Sequence, residues 1–93
     1  MMEFTVKYIR QQGPPGHFAV TTVRVEAEEP CVVNQANLES PYFEAFVEGL
    51  GDLVETFKIT LLDARVHDID SNKYSFLCAG RMAAMKIHSE WKN

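Results

Sequence analysis

The sequence lacks several features that would assign a protein to a broad class. It has no apolar run near the roughly 20 residues needed to cross a bilayer. The start, Met1-Met2-Glu3-Phe4, has neither the basic region nor the apolar stretch of a signal peptide. Cys31 and Cys78 have no zinc or redox spacing, and we expect both to be reduced core residues. These absences predict a cytoplasmic protein with no membrane partner and no bound metal.

Basic charge and enzyme motifs are also scarce. Thirteen acidic and nine basic side chains give a formal net charge of -4, which opposes sequence-independent binding to nucleic acid. We therefore expect no DNA partner, and only local contact with any RNA. The five glycines show no phosphate-loop spacing, and no nucleophile, base and orienting group can be assigned. The sequence thus indicates a protein that is not an enzyme and uses no cofactor.

The composition that remains is that of one ordinary globular domain. The chain has 93 residues, of which 46% are hydrophobic and 24% charged. A chain of this size buries roughly 60 to 65% of its unfolded surface, which is enough for a single core. We therefore treat residues 1–93 as one domain.

Alternating apolar residues predict four strands. Two of them are Phe4 to Arg10 and Phe57 to Leu61, and Cys31 to Ala36 is a short strand expected at an edge. In the segment from Phe18 to Ala27 the odd positions are small or apolar and should face inward. Phe18 and Val20 then require either a bulge near Thr21 or an apolar patch on the back of the sheet.

Two segments show helical spacing. The first begins at Ser40-Pro41, since serine caps free amides and proline suits the first turn. Gly49 and Gly51 within it predict close approach to the sheet or an early end. The second runs from Ser71 to about Glu90, with Asp70 and Ser71 as candidate caps. The buried stripes are Phe43, Phe46, Val47, Leu50, Leu53 and Val54, and then Phe76, Ala79, Gly80, Ala83 and Ile87.

This order of elements predicts an α+β fold, a two-layer sandwich in which two helices pack on one face of a four-stranded sheet. A parallel connection between strands in such a sheet is expected to be right-handed on general grounds.

Two stretches resemble a known family. One is Lys58-Ile59-Thr60-Leu61-Leu62-Asp63 followed by Val66-His67-Asp68-Ile69-Asp70-Ser71, with Phe76 and Ala79 after it. The other is Lys7-Tyr8-Ile9-Arg10-Gln11-Gln12-Gly13 followed by Gly16-His17-Phe18. Both are similar to domain IV of translation elongation factor G and its relatives, including the tetracycline-resistance ribosomal protection proteins. They occur in the family's order, so the resemblance covers roughly residues 6–90.

The resemblance implies a ribosomal protein S5 domain 2-like fold, which contains a left-handed crossover. It also implies a function, because the family places two tip loops against the decoding centre of the small ribosomal subunit. The matching positions here are Arg65 and His67 in one loop and Gly13, Pro14, Pro15, Gly16 and His17 in the other. The family usually has a basic residue between the two glycines, where this chain has prolines.

Other interpretations of the same residues stay open. A histidine in a strand-to-helix turn is often only solvated or locally hydrogen-bonded, and the neighbouring aspartates can form a salt bridge with Arg65. His17, His67, Asp68 and Asp70 would form a metal site only if the loops converge, and no HxxxH-type spacing is present. The main alternative function is a stand-alone interaction or dimerisation module. Its homodimer would form through a back-face patch of Tyr8, Phe18 and Val20.

Overall fold

The computed structural model describes residues 1–10, 16–67 and 71–91, which form four strands and two helices. Gly13, Pro14, Pro15, Asp68 and Asp70 lie outside the described residues. A short 3₁₀ helix spans Gly51–Glu55. The elements are β1 (Met2–Arg10), β2 (His17–Glu26), β3 (Cys31–Asn34), α1 (Ser40–Leu50), β4 (Lys58–Arg65) and α2 (Lys73–Glu90).

The four strands form one sheet in the order β1-β2-β4-β3. β1 and β4 both run antiparallel to β2, and β3 runs parallel to β4, to which it is joined through α1. Both helices pack on one face of the sheet, with Phe46, Ile59, Leu61 and Phe76 fully buried between the layers. The predicted α+β two-layer sandwich is confirmed, as is the short edge strand β3.

The inward face of β2 is uninterrupted. Ala19, Thr21, Val23 and Val25 are all buried, so the odd-numbered face points to the helices. The irregularity lies instead in β4, where Leu62 is the extra residue between the partners of Thr22 and Val23. Of the two alternatives, the back-face patch is therefore correct for Phe18 and Val20.

The prediction that Tyr8 belongs to that back-face patch is wrong. Tyr8 is directly opposite Ala19 in the β1–β2 ladder, and residues directly opposite each other project to the same face. Tyr8 therefore points towards the helices. Ile9, which is opposite Phe18, lies on the outer face in the position predicted for Tyr8, and it is 46% exposed.

The two glycines of the first helical segment have separate roles. Gly51 ends α1 with a positive φ of 64°, which favours glycine. Gly49 is the point of close approach, but to α2 rather than to the sheet. A Cβ added at Gly49 would meet the Leu77 carbonyl oxygen and would lie 2.8 Å from the Arg81 nitrogen.

The buried stripe predicted for α2 is confirmed, since all five of its members are buried. The predicted caps were wrong. Asn72, not Asp70 or Ser71, caps α2 by accepting a 2.9 Å hydrogen bond from the Ser75 amide. α1 has no side-chain cap bond at all, and Ser40 is already its first residue. Neither helix of the described chain is long and apolar enough to span a membrane.

Candidate functional site

Most of the residues implicated by sequence lie around one end of the sheet. β1 ends there, β2 begins, β4 ends and α2 begins. Arg10 is paired with His17 in the first ladder, and Arg65 is paired with Val20 in the second. The two chain segments that lead into the predicted tip loops therefore leave the sheet beside each other.

Ser71 fastens the second of these segments to β2. Its Oγ accepts a hydrogen bond of 2.8 Å from the His67 amide and donates one of 2.7 Å to the Phe18 carbonyl. Its own amide donates to the His67 carbonyl at 2.9 Å. Three bonds thus fix the backbone at His67 relative to the start of β2. The sequence pattern predicts only a capping role for Ser71.

His67 is exposed at this end of the molecule. Its ring centroid lies 5.8 Å from that of Phe18, which faces away from the helices. The side chain is therefore held near the outer face of the sheet while its backbone is fixed by Ser71. It is not packed inside the protein, so the geometry that a contact residue needs is present.

His17 is held on the opposite side, against the start of α2. Its Nδ1 lies 3.3 Å from both the Ser75 Oγ and the Asn72 Nδ2. Its ring is half-buried between the rings of Tyr8 and Tyr74, at centroid distances of 5.9 and 5.4 Å. Asn72, Ser75 and Tyr74 were not among the predicted site residues, and the only sequence signal for them is their position at the start of α2.

The two histidines therefore do not form a pair. His17 contacts residues on the helix side of the sheet and His67 contacts Phe18 on the outer side. Within residues 1–10, 16–67 and 71–91, no group of three or more histidine, cysteine or acidic side chains is placed to hold a metal ion.

Arg65 belongs to the outer face. It is 74% exposed, and its Nε lies 4.0 Å from the Asp63 Oδ2, the limit of an ion pair. An exposed pair of this kind contributes about 0 to 1 kcal/mol, so it leaves the guanidinium accessible to an anion. Arg65 lines a shallow depression on the outer face together with Thr5, Lys7, Ile9, Phe18, Val20, Thr22 and Asp63.

Gly16, the one described member of the other tip loop besides His17, is buried.

Charge is unevenly distributed between the two edges of the sheet. Residues 25–57, which include β3 and α1, contain eight acidic and no basic side chains. The rest of the chain, which includes β1 and α2, contains all nine basic and only five acidic ones. Because β1 and β3 are opposite edges, the net charge of -4 conceals an acidic edge at β3 and a more basic edge at β1, and Arg65, at the end of β4, lies outside the acidic segment.

Two tyrosines near His17 have altered acidities. Burial, followed by the neighbouring Cys78 side chain, raises the pKa of Tyr8 above its ordinary value of 10.0. A hydrogen bond with Cys78 raises the pKa of Tyr74 in the same direction. Arg10 opposes both shifts, so these four side chains form one electrostatic cluster beside β1.

Comparison with solved structures supports the fold. A crystal structure from Thermus thermophilus matches 90% of this chain with a TM-score of 0.78 at 24% sequence identity. The match spans only 15% of that longer chain. No family model matches the sequence. The similarity establishes a shared fold for a small module and nothing finer.

Proposed function

We propose that this chain is a non-enzymatic module, similar to domain IV of elongation factor G, that contacts RNA of the small ribosomal subunit through its two tip loops. The observation that carries the proposal is the Ser71 bridge to Phe18, which fixes the two loop bases side by side. Fixing the bases of two loops reduces the conformational freedom that binding must remove, which favours affinity.

The accessible chemistry fits an RNA backbone. Arg65 offers a planar guanidinium suited to phosphate, and His67 offers an exposed ring able to stack on a base or hydrogen-bond. His17 acts differently from its sequence assignment. Its contacts with Asn72 and Ser75 favour a role in holding the base of the first loop over direct contact with the RNA.

Filter binding of the chain to isolated small subunits at low salt tests this function. We expect binding by the parent chain and a loss of about tenfold or more for the Arg65→Ala, His67→Ala double variant, since each good contact contributes about 1 to 3 kcal/mol. The matched control is Arg24→Ala, His88→Ala, which removes one arginine and one histidine at the other end of the molecule. Absence of binding, or an equal loss in both variants, contradicts the proposal.

A second function is favoured by the outer face. Ile9, Phe18 and Val20 form an apolar patch there, with Ile9 46% exposed, and a homodimer would cover it. Sedimentation equilibrium over a wide concentration range distinguishes the two. A dimer abolished by Ile9→Asp supports this function, and a chain that stays monomeric at high concentration contradicts it.

A further inference from the structure

The outer edge of β1 is a long, regular and open hydrogen-bonding surface. β1 has nine residues paired to β2 without a register shift, and it contains no proline. Every other residue therefore directs its N–H and C=O groups away from β2. Among the described residues no strand pairs with these groups. Such an edge is a template for another strand unless the protein blocks it.

An apolar groove runs beside this edge, and α2 forms its far wall. Tyr74, Cys78, Met82 and Met85 lie on one stripe of α2 and face Tyr8 of β1 around a volume of about 490 Å³. A further groove of about 570 Å³ shares Lys7, Met82 and Met85 and extends the surface towards Glu90. The groove therefore runs alongside most of β1.

The apolar side chains of this groove are unusually accessible. Met85 is 71% exposed and Tyr74 is 52% exposed. Methionine is flexible and polarisable, so it adapts to partners of different shape. Tyrosine adds a large apolar face with a polar tip, which is typical of binding surfaces. These residues suit the alternate side chains of an added strand.

The rim of the groove is basic. Lys7, Arg10 and Arg81 line it, and none of them is within ion-pair distance of a carboxylate in the described part of the chain. Lys86, which lines the further groove, does form an ion pair, since its Nζ lies 2.9 Å from the Glu90 Oε2. A second copy paired through β1 would bring two sets of these cations together, and like charges in contact oppose association.

We propose that the β1 edge and this groove bind an extended acidic segment of a partner protein as a fifth strand of the sheet. The segment's backbone would pair with the outward groups of β1. Its alternate apolar side chains would enter the groove between β1 and α2, and its carboxylates, which project from the opposite face, would reach Lys7 directly and be attracted by Arg10 and Arg81 at longer range. RNA is the less suitable occupant, because it has no backbone that alternates donors and acceptors at the spacing of a strand. This surface adjoins the base of the first tip loop at Arg10 and Tyr74, but the proposal does not depend on the function of the loops.

Backbone NMR of the whole labelled chain tests the proposal. The probe is a peptide of about ten residues, the upper length of a common strand, in which glutamate alternates with valine or tyrosine. The control peptide has lysine in place of each glutamate. We expect saturable shifts of the amides of Met2–Arg10 with the acidic peptide, and binding of the lysine peptide weaker by at least about tenfold.

Two charge-reversed variants make the test specific. The Lys7→Glu, Arg81→Glu variant should bind the acidic peptide about tenfold or more weakly than the parent chain. The Arg24→Glu, Lys73→Glu variant makes the same change in net charge outside the groove and should keep the parent affinity. A dispersed spectrum for each variant shows that it is folded. The proposal is overturned if neither peptide binds, if both bind equally, or if the shifts map to Phe18 and Val20. It is also overturned if the β1 amides shift with protein concentration alone, or respond to oligouridine but not to the acidic peptide.

Discussion

At the scale of single residues, Thr21 is one of three polar side chains, with Thr60 and Ser75, that are buried in the described part of the chain. It is fully buried on the inward face of β2, and its Oγ1 has no hydrogen-bond partner in the part of the chain described. A buried polar group without a partner costs about 1 to 3 kcal/mol. Valine has nearly the same shape and no hydroxyl.

Thr21→Val should therefore raise the free energy of unfolding by about 1 kcal/mol in urea titrations. The matched substitution is Thr22→Val, whose hydroxyl is bonded at 2.8 Å to that of Thr5 on the outer face. We expect that variant to be neutral or slightly destabilised. A loss of stability in Thr21→Val would mean that the hydroxyl has a partner, such as a buried water.

Tyr8 should make the protein sensitive to alkaline conditions. Its pKa is raised above 10.0 by burial and by Cys78, so the folded state favours the neutral phenol. Its contribution is complete below pH 10 and is lost as the pH rises through the folded pKa, because the unfolded chain ionises first. The decline in stability between pH 9.5 and pH 11.5, both chosen to bracket about 10, should thus be smaller in Tyr8→Phe than in the parent chain.

Unfolding followed by Trp91 fluorescence at each pH measures that difference. The parent chain and Tyr8→Phe differ only in this hydroxyl, so the difference between their declines in stability isolates its effect. Parallel declines in the two proteins would show that the Tyr8 hydroxyl is not protected by folding.

At the scale of elements, the contact between α1 and α2 is made backbone to backbone. A Cβ at Gly80 would meet the Phe46 carbonyl oxygen and would lie 3.0 Å from the Gly49 Cα. In an isolated helix alanine is more favourable than glycine by about 1 kcal/mol. Overpacking a core costs typically about 1 to 3 kcal/mol, so Gly80→Ala should destabilise the protein.

The sign of the change in stability caused by Gly80→Ala therefore tests the close contact between α1 and α2. Thermal and urea unfolding of Gly80→Ala should both show the loss, while His88→Ala, at an exposed position of the same helix, should change stability by less than about 0.5 kcal/mol. A Gly80→Ala protein more stable than the parent would contradict the contact.

Capping offers a second comparison between elements. Asn72 Oδ1 accepts from the Ser75 amide at 2.9 Å, whereas α1 has no side-chain cap. Loss of a cap costs about 0.5 to 2 kcal/mol. Asn72→Ala should thus lower the free energy of unfolding by about 1 kcal/mol, and Ser40→Ala should leave it within about 0.5 kcal/mol of the parent value. Equal losses would contradict this assignment of caps.

These two helices also show how far sequence predicts this fold. The inward faces of β2 and α2 were predicted correctly because period-two and 3.6-residue patterns follow directly from burial. The caps were not, because Asp70, Ser71 and Asn72 are all competent and only the path of the chain selects one. Gly49 was recognised as a close approach, but its partner, Gly80, depends on how the helices cross.

The candidate site was predictable to a similar extent. The position of His67 between β4 and α2 followed from the end of one pattern and the start of the next. Its attachment to β2 through Ser71 depends on residues 53 apart in sequence, and local patterns do not contain that information. Tyr8 was placed on the wrong face for a comparable reason, since the face of a strand residue is set by its partner across the ladder.

At the scale of the whole molecule, the separation of charge determines how an acidic protein would bind RNA. Net charge opposes approach, but charges beyond the Debye length of about 8 Å at physiological salt are largely screened. The acidic turn that contains Glu28 and Glu29 follows β2, which begins at the candidate site and spans ten residues, or roughly 33 Å. Local cations, rather than net charge, should therefore control binding to small subunits.

The control of binding by local cations predicts how the affinity for small subunits depends on salt concentration. A few phosphate contacts should give a slope of log affinity against log salt of about -2 to -4, and Arg65→Ala should make it shallower by about one. Glu28→Gln, Glu29→Gln changes the net charge by two but lies outside the screening distance, so its slope should match that of the parent. A slope that responds to the glutamates and not to Arg65 would mean that binding reflects overall charge, and the tip loops would then not be the RNA-contacting surface.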